Sequence, residues 1–433
     1  MEKLLEIAKQ KVDSAEVFYT SYNDNTINFE NYSVTEIKSQ SQSGFCLRVI
    51  KDGFIGTSYT KNLLDREELV ANAVDSSKGE VKVEFDFPDD YVPKKLDTYD
   101  SEIKNLSCEQ VLASIKESND FVKNKTSGQL NSMAGFGELK TRIINSNGLD
   151  VEFKHSDYFA FQSIMYPGSY AGVSTQVAAK NYQSLPEVEM MKMIDLYTKG
   201  LKEVSIKPST IQVIFLPDVL YSLLWRLESG TNAKSIYEKT SPIKNKIGEQ
   251  IFSDKLTVID NPHLDIYPYA RGFDDEGVPT QKLTVIENGV LKNFYNDLEY
   301  AAKLDVEPTG HGYKNAMWGG ETVSLAPTPT LGHLTIVPGK DSFNEMIKKI
   351  KRGILVGGAL GAHSGNIPNG DFSIGINPGF YIEDGEIVGR VKDGMIAGNI
   401  YDVMKRVSSI ENEVHIAQGG IFPAITFEDV RFS

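Results

Sequence analysis

The segment FCLRVIKDGFIGTSYT (residues 45–60) places two apolar runs on either side of Asp52-Gly53. An Asp-Gly pair at that point favours a type I′ turn, because both turn residues adopt positive φ, and it therefore predicts an antiparallel hairpin. Upstream, residues 16–40 alternate apolar and polar side chains, which is typical of half-buried strands. These features predict that the amino-terminal half contains a β-meander.

Helical patterns separate the predicted strands. They cover the amino terminus and residues 65–76, 108–123 and 186–204. Asn288-Gly289 and Asp384-Gly385 predict two further hairpins in the second half. The sequences around the three predicted turns are alike. This similarity is typical of two-residue hairpins, and an internal duplication is the other interpretation. Meanders mixed with separate helices favour an α+β fold with mostly antiparallel β-sheets and packed helices, not a doubly wound parallel sheet.

The length of 433 residues is sufficient for two domains. Residues 206–209 (IKPS) are a plausible boundary, and TIQVIFL (residues 210–216) follows them as a predicted buried strand. We therefore predict an amino-terminal α+β domain over residues 1–205 and a β-rich domain over residues 206–433.

Composition and charge exclude several classes of protein. Lysine and arginine total 45 against 59 acidic residues, a formal net charge of −14 that argues against nucleic acid as a partner. Two cysteines cannot build a disulfide framework or a cysteine-rich zinc module. The amino terminus lacks the pattern of a signal peptide, and no apolar stretch is long enough to span a bilayer. We expect a cytoplasmic protein with no membrane partner.

Motifs for common catalytic chemistry are missing. No histidine is followed by glutamate, so the HExxH pattern of helix-borne zinc sites does not occur. There is no G-x-S-x-G elbow, and Cys46 lies in a predicted strand, where a buried structural thiol is the expected role. The glycine-rich residues 353–366 match neither a phosphate-binding loop nor a dinucleotide fingerprint.

An acidic segment is the first candidate site. YARGFDDEGVPTQ (residues 269–281) contains Asp274, Asp275 and Glu276, with Arg271 close by and Gly277 ending the cluster. Three adjacent acids are costly to bury without partners, so a solvated loop is the simpler interpretation. A functional loop is the alternative.

Two glycine-rich loops form the second candidate. They are residues 309–313 (TGHGY), with His311, and residues 361–373 (GAHSGNIPNGDFS), with His363 and Asn366. Loops of this kind line binding sites because glycine permits close approach of a backbone, but ordinary surface loops have the same composition. Both interpretations stay open.

Several of these segments resemble one protein family. RGFDDEGVPTQ (residues 271–281), followed by LTVIENGVLKNFYNDLEYAAKL, is similar to the central signature of the TldD/PmbA family, also known as modulators of DNA gyrase. EPTGHG, VPGKDSFNEMI, GDFSIGINPGFYIEDGEI and IAGNIYDVM follow in the order expected for that family, and SQSGFCLRVIKDGFIGTSYT fits its amino-terminal part. The resemblance covers almost the whole chain.

The resemblance also implies a branch of the family. In the metal-carrying branch, the helix after the strand at residues 210–216 carries HExxxH, and a cysteine near the carboxy terminus is a further zinc ligand. Here the helix reads PDVLYSLLWRLE (residues 217–228), the motif position falls near residues 224–229, and residues 156–262 contain no histidine. The carboxy-terminal segment contains no cysteine. The chain therefore resembles the PmbA (TldE-type) branch, with no metal of its own and zinc expected in a partner subunit.

The function implied is that of one subunit of a metallopeptidase. A metal-bearing TldD-type homologue would complete a heterodimer around a groove for unfolded peptides, with self-association as the other possible assembly. Candidate groove residues are Arg271, Asp274, Asp275, Glu276, Gly277, His311, His363 and Asn366. The rival hypotheses are a self-sufficient homodimeric peptidase with an unrecognised site, for instance one built on His311, His333 and His363, and a non-catalytic adaptor that binds peptides or proteins.

Overall fold

Long antiparallel strands form the amino-terminal part of the protein. The structure is a computed structural model that describes residues 1–265, 267–316 and 319–433. The strands are β1 (Ser14–Glu30), β2 (Ser33–Lys51), β3 (Phe54–Thr60), β4 (Gln129–Asn145), β5 (Asp150–Met165) and β6 (Gly172–Ala179). They form one sheet in the order β3-β2-β1-β4-β5-β6, and every neighbouring pair is antiparallel.

Four α-helices accompany this sheet. They are α1 (Glu2–Lys9), α2 (Arg66–Ser77), α3 (Cys108–Lys123) and α4 (Glu187–Lys199), with a 3-10 turn at Ser101–Asn105. The first three agree with the sequence pattern. The predicted helix at residues 186–204 ends earlier, because Gly200 caps it and Glu203–Val204 forms the short strand β7. The predicted turn at Asp52-Gly53 is confirmed, with φ of 52° and 80°.

The carboxy-terminal part is built from many short strands. They are β8 (Ser209–Phe215), β9 (Val258–Asp260), β10 (Leu283–Glu287), β11 (Val290–Leu291), β12 (Gly312–Tyr313), β13 (Thr328–Pro329), β14 (Leu334–Ile336), β15 (Arg352–Val356), β16 (Ala359–Leu360), β17 (Asp371–Ile376), β18 (Gly379–Glu383), β19 (Glu386–Val391), β20 (Met395–Asn399), β21 (Val407–Ile410), β22 (His415–Ala417), β23 (Gly420–Phe422) and β24 (Ile425–Phe432). The helices are α5 (Tyr221–Thr231), α6 (Ala233–Tyr237), α7 (Leu298–Leu304), α8 (Phe343–Lys349) and α9 (Ile400–Val403), with 3-10 turns at Pro217–Val219 and Thr322–Ser324.

These strands form two larger sheets and one small one. The largest has the order β16-β17-β20-β24-β8-β15-β18-β19-β7, with β21 paired to β24. The second has the order β11-β10-β9-β14-β23-β22, and β12 pairs with β13. Parallel pairing occurs at β8–β15, β14–β23 and β7–β19, and the other pairs are antiparallel. The prediction of an α+β fold with mostly antiparallel sheets is confirmed.

The two parts share apolar packing. One cluster of buried side chains brings Ile27 and Phe136 of the first sheet together with Leu355 and Phe380 of the largest sheet. A second cluster lies inside the carboxy-terminal part and contains buried side chains of α5, β8 and β24. The predicted boundary at residue 206 stays a prediction; β7 pairs with β19 although it precedes that boundary. Within the described ranges, no helix is both long and apolar enough to cross a bilayer.

Candidate functional site

The acidic loop, defined as residues 271–278, is buried between the two parts of the protein. Asp274, Asp275 and Glu276 are 0%, 5% and 2% exposed. The solvated-loop interpretation of these three side chains is therefore wrong. Buried carboxylates require hydrogen-bond donors or cations as partners, and the loop receives them from both parts of the chain.

Asp274 organises the loop itself. Its Oδ1 accepts hydrogen bonds from the backbone N–H groups of Glu276 and Val278, both at 2.9 Å. Its Oδ2 accepts from the N–H of Gly312 at 2.8 Å. Burial and the neighbouring charge of Glu276 raise the pKa of Asp274 despite these bonds. The side chain therefore fixes the turn at Gly277 and ties the loop to β12.

Glu276 connects the acidic loop to the first sheet. Its Oε1 accepts from Nη1 of Arg48 at 2.9 Å, and its Oε2 accepts from the N–H of Leu298 at 2.8 Å. Nε of Arg48 donates to Oε1 of Glu16 at 2.9 Å. Arg48 and Glu16 are 3% and 0% exposed. Burial raises the pKa of Glu16, with Arg48 opposing that rise; the guanidinium thus bridges two buried carboxylates.

Asp275 forms the other ion pair of the loop. Its Oδ1 accepts from Nη2 of Arg271 at 2.7 Å, and its Oδ2 accepts from the N–H of Lys314 at 2.9 Å. The Arg271 guanidinium also lies 5.3 Å from the ring centroid of Tyr313. Gly277 has φ of 76°, and its carbonyl accepts from the Tyr91 hydroxyl at 2.9 Å. Every carboxylate of the acidic loop is therefore engaged by a group of this same chain.

Two histidines surround a buried aspartate close to the loop. Nε2 of His311 lies 3.2 Å from Oδ2 of Asp260, and the N–H of His333 donates to Oδ1 of Asp260 at 2.8 Å. The three residues are at most 4% exposed. Bonds and charge from both histidines hold the pKa of Asp260 below its usual range, although burial acts in the opposite direction. His311 therefore lies beside the acidic loop, as part of a separate hydrogen-bonded cluster.

Helix α5 holds the remaining candidate loop in place. Arg226 of α5 is fully buried, and its guanidinium donates to the backbone carbonyls of Asp371 at 2.7 Å, Ala362 at 3.0 Å and Ser364 at 2.6 Å. His363 and Asn366 are exposed on this loop. The acidic loop is bonded to Gly312, next to His311, whereas Arg226 holds the loop that carries His363 and Asn366.

The residues at the expected zinc position do not fit a zinc ion. Leu223, Leu224 and Leu227 are at most 1% exposed and pack in the core, as their helical spacing predicts. Leucine offers no donor atom, Glu228 is the one carboxylate on α5, and the buried cation of Arg226 would repel a divalent metal. The side chains of α5 therefore do not form a zinc site.

One other set of side chains has the spacing of metal ligands. Among the described residues, Glu411, Glu413 and His415 are the set whose ligand atoms all lie within 4.8 Å of one another. Nε2 of His415 is 3.4 Å from Oε2 of Glu411, and that contact raises the pKa of His415. Metal binding needs the neutral imidazole, so the raised pKa works against a metal at this set. The alternative zinc ligands His311, His333 and His363 do not form a set whose ligand atoms all lie within 4.8 Å of one another.

Sequence reasoning missed the residues that complete these clusters. Arg48 and Glu16 supply the partners of Glu276, and Asp260 organises His311 and His333. A signal for Arg48 was present, because a lone cation stands inside the apolar strand segment FCLRVI. Arg226 likewise interrupts the apolar segment LLWRL (residues 223–227). A single charge inside an apolar run indicates a buried partner elsewhere.

The fold and the site define an α+β protein in which a buried acidic loop joins two parts. The carboxy-terminal residues 208–433 match the model of the PmbA/TldA metallopeptidase C-terminal domain, and residues 15–77 match that of PmbA/TldA metallopeptidase domain 1. The first of these matches covers more than half of the chain. The chain belongs to the PmbA/TldD family, as the sequence signatures predicted.

Its relatives include archaeal proteins of similar length. A Methanocaldococcus jannaschii protein is 30% identical over 99% of this chain and 98% of its own. A Methanothermobacter thermautotrophicus protein named metalloprotease is 24% identical, over 95% of this chain and 90% of its own. The crystal structure of TldE from Thermococcus kodakarensis superposes with a TM-score of 0.91 at 25% identity, covering 100% of this chain and 99% of the other.

Proposed function

We propose that this chain is the metal-free subunit of a cytoplasmic metallopeptidase of the TldD/TldE type, which degrades unfolded peptides. A zinc-bearing homologue would supply the metal and the activated water. This chain would form half of the enclosure around an extended substrate. Helix α5 carries the proposal, because a buried arginine and packed leucines occupy the segment that bears the zinc motif in the other branch.

The chemistry of α5 supports a positioning role. The Arg226 guanidinium donates hydrogen bonds to the backbone carbonyls of residues 362, 364 and 371. Its charge therefore orders that loop and does not face a substrate. That loop presents His363 and Asn366 to solvent. An imidazole and a carboxamide offer donors and acceptors suited to the backbone of an extended peptide.

The acidic loop contributes to the same proposal as a rigid support. Its carboxylates are paired within the chain, and Asp274 fixes the N–H of Gly312. In the proposed groove, residues 310–314 would be held in a defined position and the acids themselves would stay covered. The proposed contact with substrate then belongs to the glycine-rich loops rather than to Asp274, Asp275 or Glu276.

The test is a peptidase assay on an unfolded peptide with three samples: this chain alone, an HExxxH-bearing homologue from the same source alone, and the two mixed. We expect cleavage only in the mixture, and loss of it with a chelator. Cleavage by this chain alone, with about one zinc per chain by elemental mass spectrometry, would instead identify a self-sufficient peptidase. A mixture no more active than the homologue alone would favour an adaptor.

Variants of this chain refine the assay. Replacing His363 and Asn366 together by alanine should raise KM for the peptide several-fold in the mixture, because binding groups are removed from both ground and transition states. The matched control is Asn105→Ala, which changes an exposed residue on a 3-10 turn of the other part. Equal kinetics for the two variants would remove the glycine-rich loop from the groove.

A further inference from the structure

Two carboxylates lie on one face of the first sheet, separated by a glycine. Asp24 of β1 and Asp157 of β5 are both opposite Gly137 of the intervening strand β4. Residues directly opposite one another in an antiparallel sheet project to the same face, and Gly137 has no side chain to stand between them. Burial and the charge of Asp24 raise the pKa of Asp157 to about 6. The two carboxylates, named the acid pair, are therefore close enough to repel each other.

The acid pair receives no cation from this chain. Within the described residues, the ion-pair contact of Asp157 is with His155, whose Nε2 lies 3.8 Å from Oδ1. Burial, with a smaller contribution from the charge of Arg271, lowers the pKa of His155 to about 4, so the imidazole is neutral at pH 7. The charge of Lys38 opposes the rise that burial causes in the pKa of Asp24 but does not cancel it. A positive group at the acid pair would remove an unfavourable repulsion.

His155 is a second observation that points to a ligand at this place. It is 8% exposed, and it lies two residues before Asp157 on β5, so both side chains project to the same face. Its Nδ1 is buried without a hydrogen-bond partner among the described residues, and its Nε2 approaches Asp157 at more than hydrogen-bond distance. Buried polar groups normally have partners. The ring therefore has hydrogen-bonding capacity beside the acid pair that this chain does not use.

The neighbouring side chains indicate which cation fits. The Tyr269 ring is 39% exposed and packs against His155, with ring centroids 5.8 Å apart. The acid pair and His155 do not form a set with metal-ligand spacing among the described residues, which argues against a metal ion. A guanidinium is wider, carries five donors in a planar fork and stacks on aromatic rings. The same chain uses one in this way where Arg48 joins two carboxylates.

We propose that the acid pair, together with His155 and Tyr269, binds the side chain of an arginine in an extended peptide. The guanidinium would bridge the two carboxylates and lie against the exposed part of the Tyr269 ring. The peptide nature of the ligand rests on the proposed function, whereas the recognition of a cation rests on the acid pair itself. A lysine side chain or the amino terminus of a peptide is another source of an organic cation, and the experiment separates these sources.

The experiment is fluorescence anisotropy on this chain alone with four labelled, unstructured peptides of otherwise equal sequence. Three have blocked termini and carry one central arginine, lysine or glutamine, and the fourth carries glutamine and a free amino terminus. Salt is held at about 0.15 M, where exposed charges more than about 8 Å apart are largely screened. We expect the arginine peptide to bind roughly tenfold more tightly than the blocked glutamine peptide. The lysine peptide should lie between them, because an ammonium forms no bidentate pair.

Variants connect this preference to the acid pair. Asp24→Asn and Asp157→Asn each remove one charge with little change of shape, and each should reduce the preference for arginine over glutamine to within about threefold. Tyr269→Leu should weaken binding of the arginine peptide several-fold, because it removes the ring against which the guanidinium lies. The matched control Asp120→Asn makes the same charge change at an exposed position of α3 and should keep the full preference. Circular dichroism of each variant checks folding.

Several outcomes would overturn the proposal. They are equal or unmeasurable affinity for the arginine and glutamine peptides, tighter binding of lysine than of arginine, and a preference that survives both changes in the acid pair or that Asp120→Asn reduces as much. A preference for the free amino terminus alone would also overturn it and assign the acid pair to a peptide end. Binding is measured without a homologue and without cleavage. A failed peptidase assay therefore leaves this result standing, and a failed binding test leaves the peptidase proposal standing.

Discussion

The acidic loop and the free end of β2, defined as residues 33–41, have opposite relations to solvent. Residues 274–276 carry three consecutive acids and are at most 5% exposed, whereas residues 33–41 form a regular strand in which every side chain is exposed. The loop is buried because Arg48, Arg271 and backbone N–H groups converge on it. The strand is exposed because it extends beyond the end of its neighbour β3.

Burial in this protein follows the supply of partners. Local charge does not determine it, since carboxylates enter the interior wherever donors from distant strands meet them. A regular strand pattern in the sequence does not determine burial either, because a strand is buried only when another layer covers it in addition to its hydrogen-bonded neighbour. The following predictions test each side of this contrast.

The largest effect is expected at Arg48, which joins Glu16 to Glu276. Arg48→Met keeps most of the volume but leaves two buried carboxylates without their cation. We expect a loss of about 3–5 kcal/mol in the free energy of unfolding, measured by urea denaturation. Lys140→Met, which removes an exposed pair with Glu152, is the control and should cost less than about 1 kcal/mol. Similar losses for the two variants would contradict the contrast between buried and exposed charge.

A smaller effect is expected at Gly312. A Cβ atom there would lie 2.2 Å from Oε2 of Glu276, so Gly312→Ala must displace that carboxylate from Leu298 and Arg48. We expect about 1–3 kcal/mol of destabilisation. At Gly332 the nearest atom, of Tyr313, would be 3.8 Å away, so Gly332→Ala should change stability by less than about 0.5 kcal/mol. Thermal unfolding of both variants measures the two changes in stability. A loss at Gly312 no larger than that at Gly332 would show that the packing around the acidic loop tolerates an added methyl group.

The smallest effect concerns pH. Burial and the charge of Glu276 raise the pKa of Asp297 from 3.8 to about 7. The folded state then binds the proton more tightly, so the contribution of Asp297 is favourable at low pH and is lost as pH rises through 7. Asp297→Asn keeps the N-cap of α7 without the charge. Its stability relative to the unchanged protein should therefore rise between pH 5 and pH 8, by about 1–2 kcal/mol.

Urea denaturation at the two pH values measures this difference. Asp65→Asn changes the exposed N-cap of α2 and is the control. Its effect should stay nearly constant between pH 5 and pH 8. If Asp297→Asn changed the free energy of unfolding equally at both pH values, the explanation that burial and the charge of Glu276 raise the pKa of Asp297 would be contradicted.

Local features of the fold were predictable from the sequence, since they depend on neighbouring residues. Asp52-Gly53, Asn288-Gly289 and Asp384-Gly385 all adopt the positive φ values of the predicted turns, and α3 spans the predicted residues. The early end of α4 was not predicted, because Glu203 and Val204 pair with a strand almost 190 residues away. Tertiary pairing overrides local helical preference at such positions.

The candidate site was predictable only in part. The sequence singled out Asp274, Asp275 and Glu276, and the family signature marked the same segment. Their burial was not predictable, since the partner Arg48 lies 228 residues from Glu276 along the chain. Proximity of His311 to Asp260, across 51 residues, was hidden for the same reason. The exposure of residues 33–41 was not predictable either, because it depends on where β3 ends.

The bridge from Glu16 through Arg48 to Glu276 has a consequence for synthesis of the protein. During translation the first sheet leaves the ribosome well before residue 276, and domains generally fold as they emerge. Glu16 and Arg48 can then pair with each other, but the second carboxylate and the apolar cover of residues 271–278 arrive only later. Without the carboxy-terminal part, the Glu16–Arg48 pair would be exposed to solvent. The amino-terminal part therefore reaches its final packing only after the carboxy-terminal part docks.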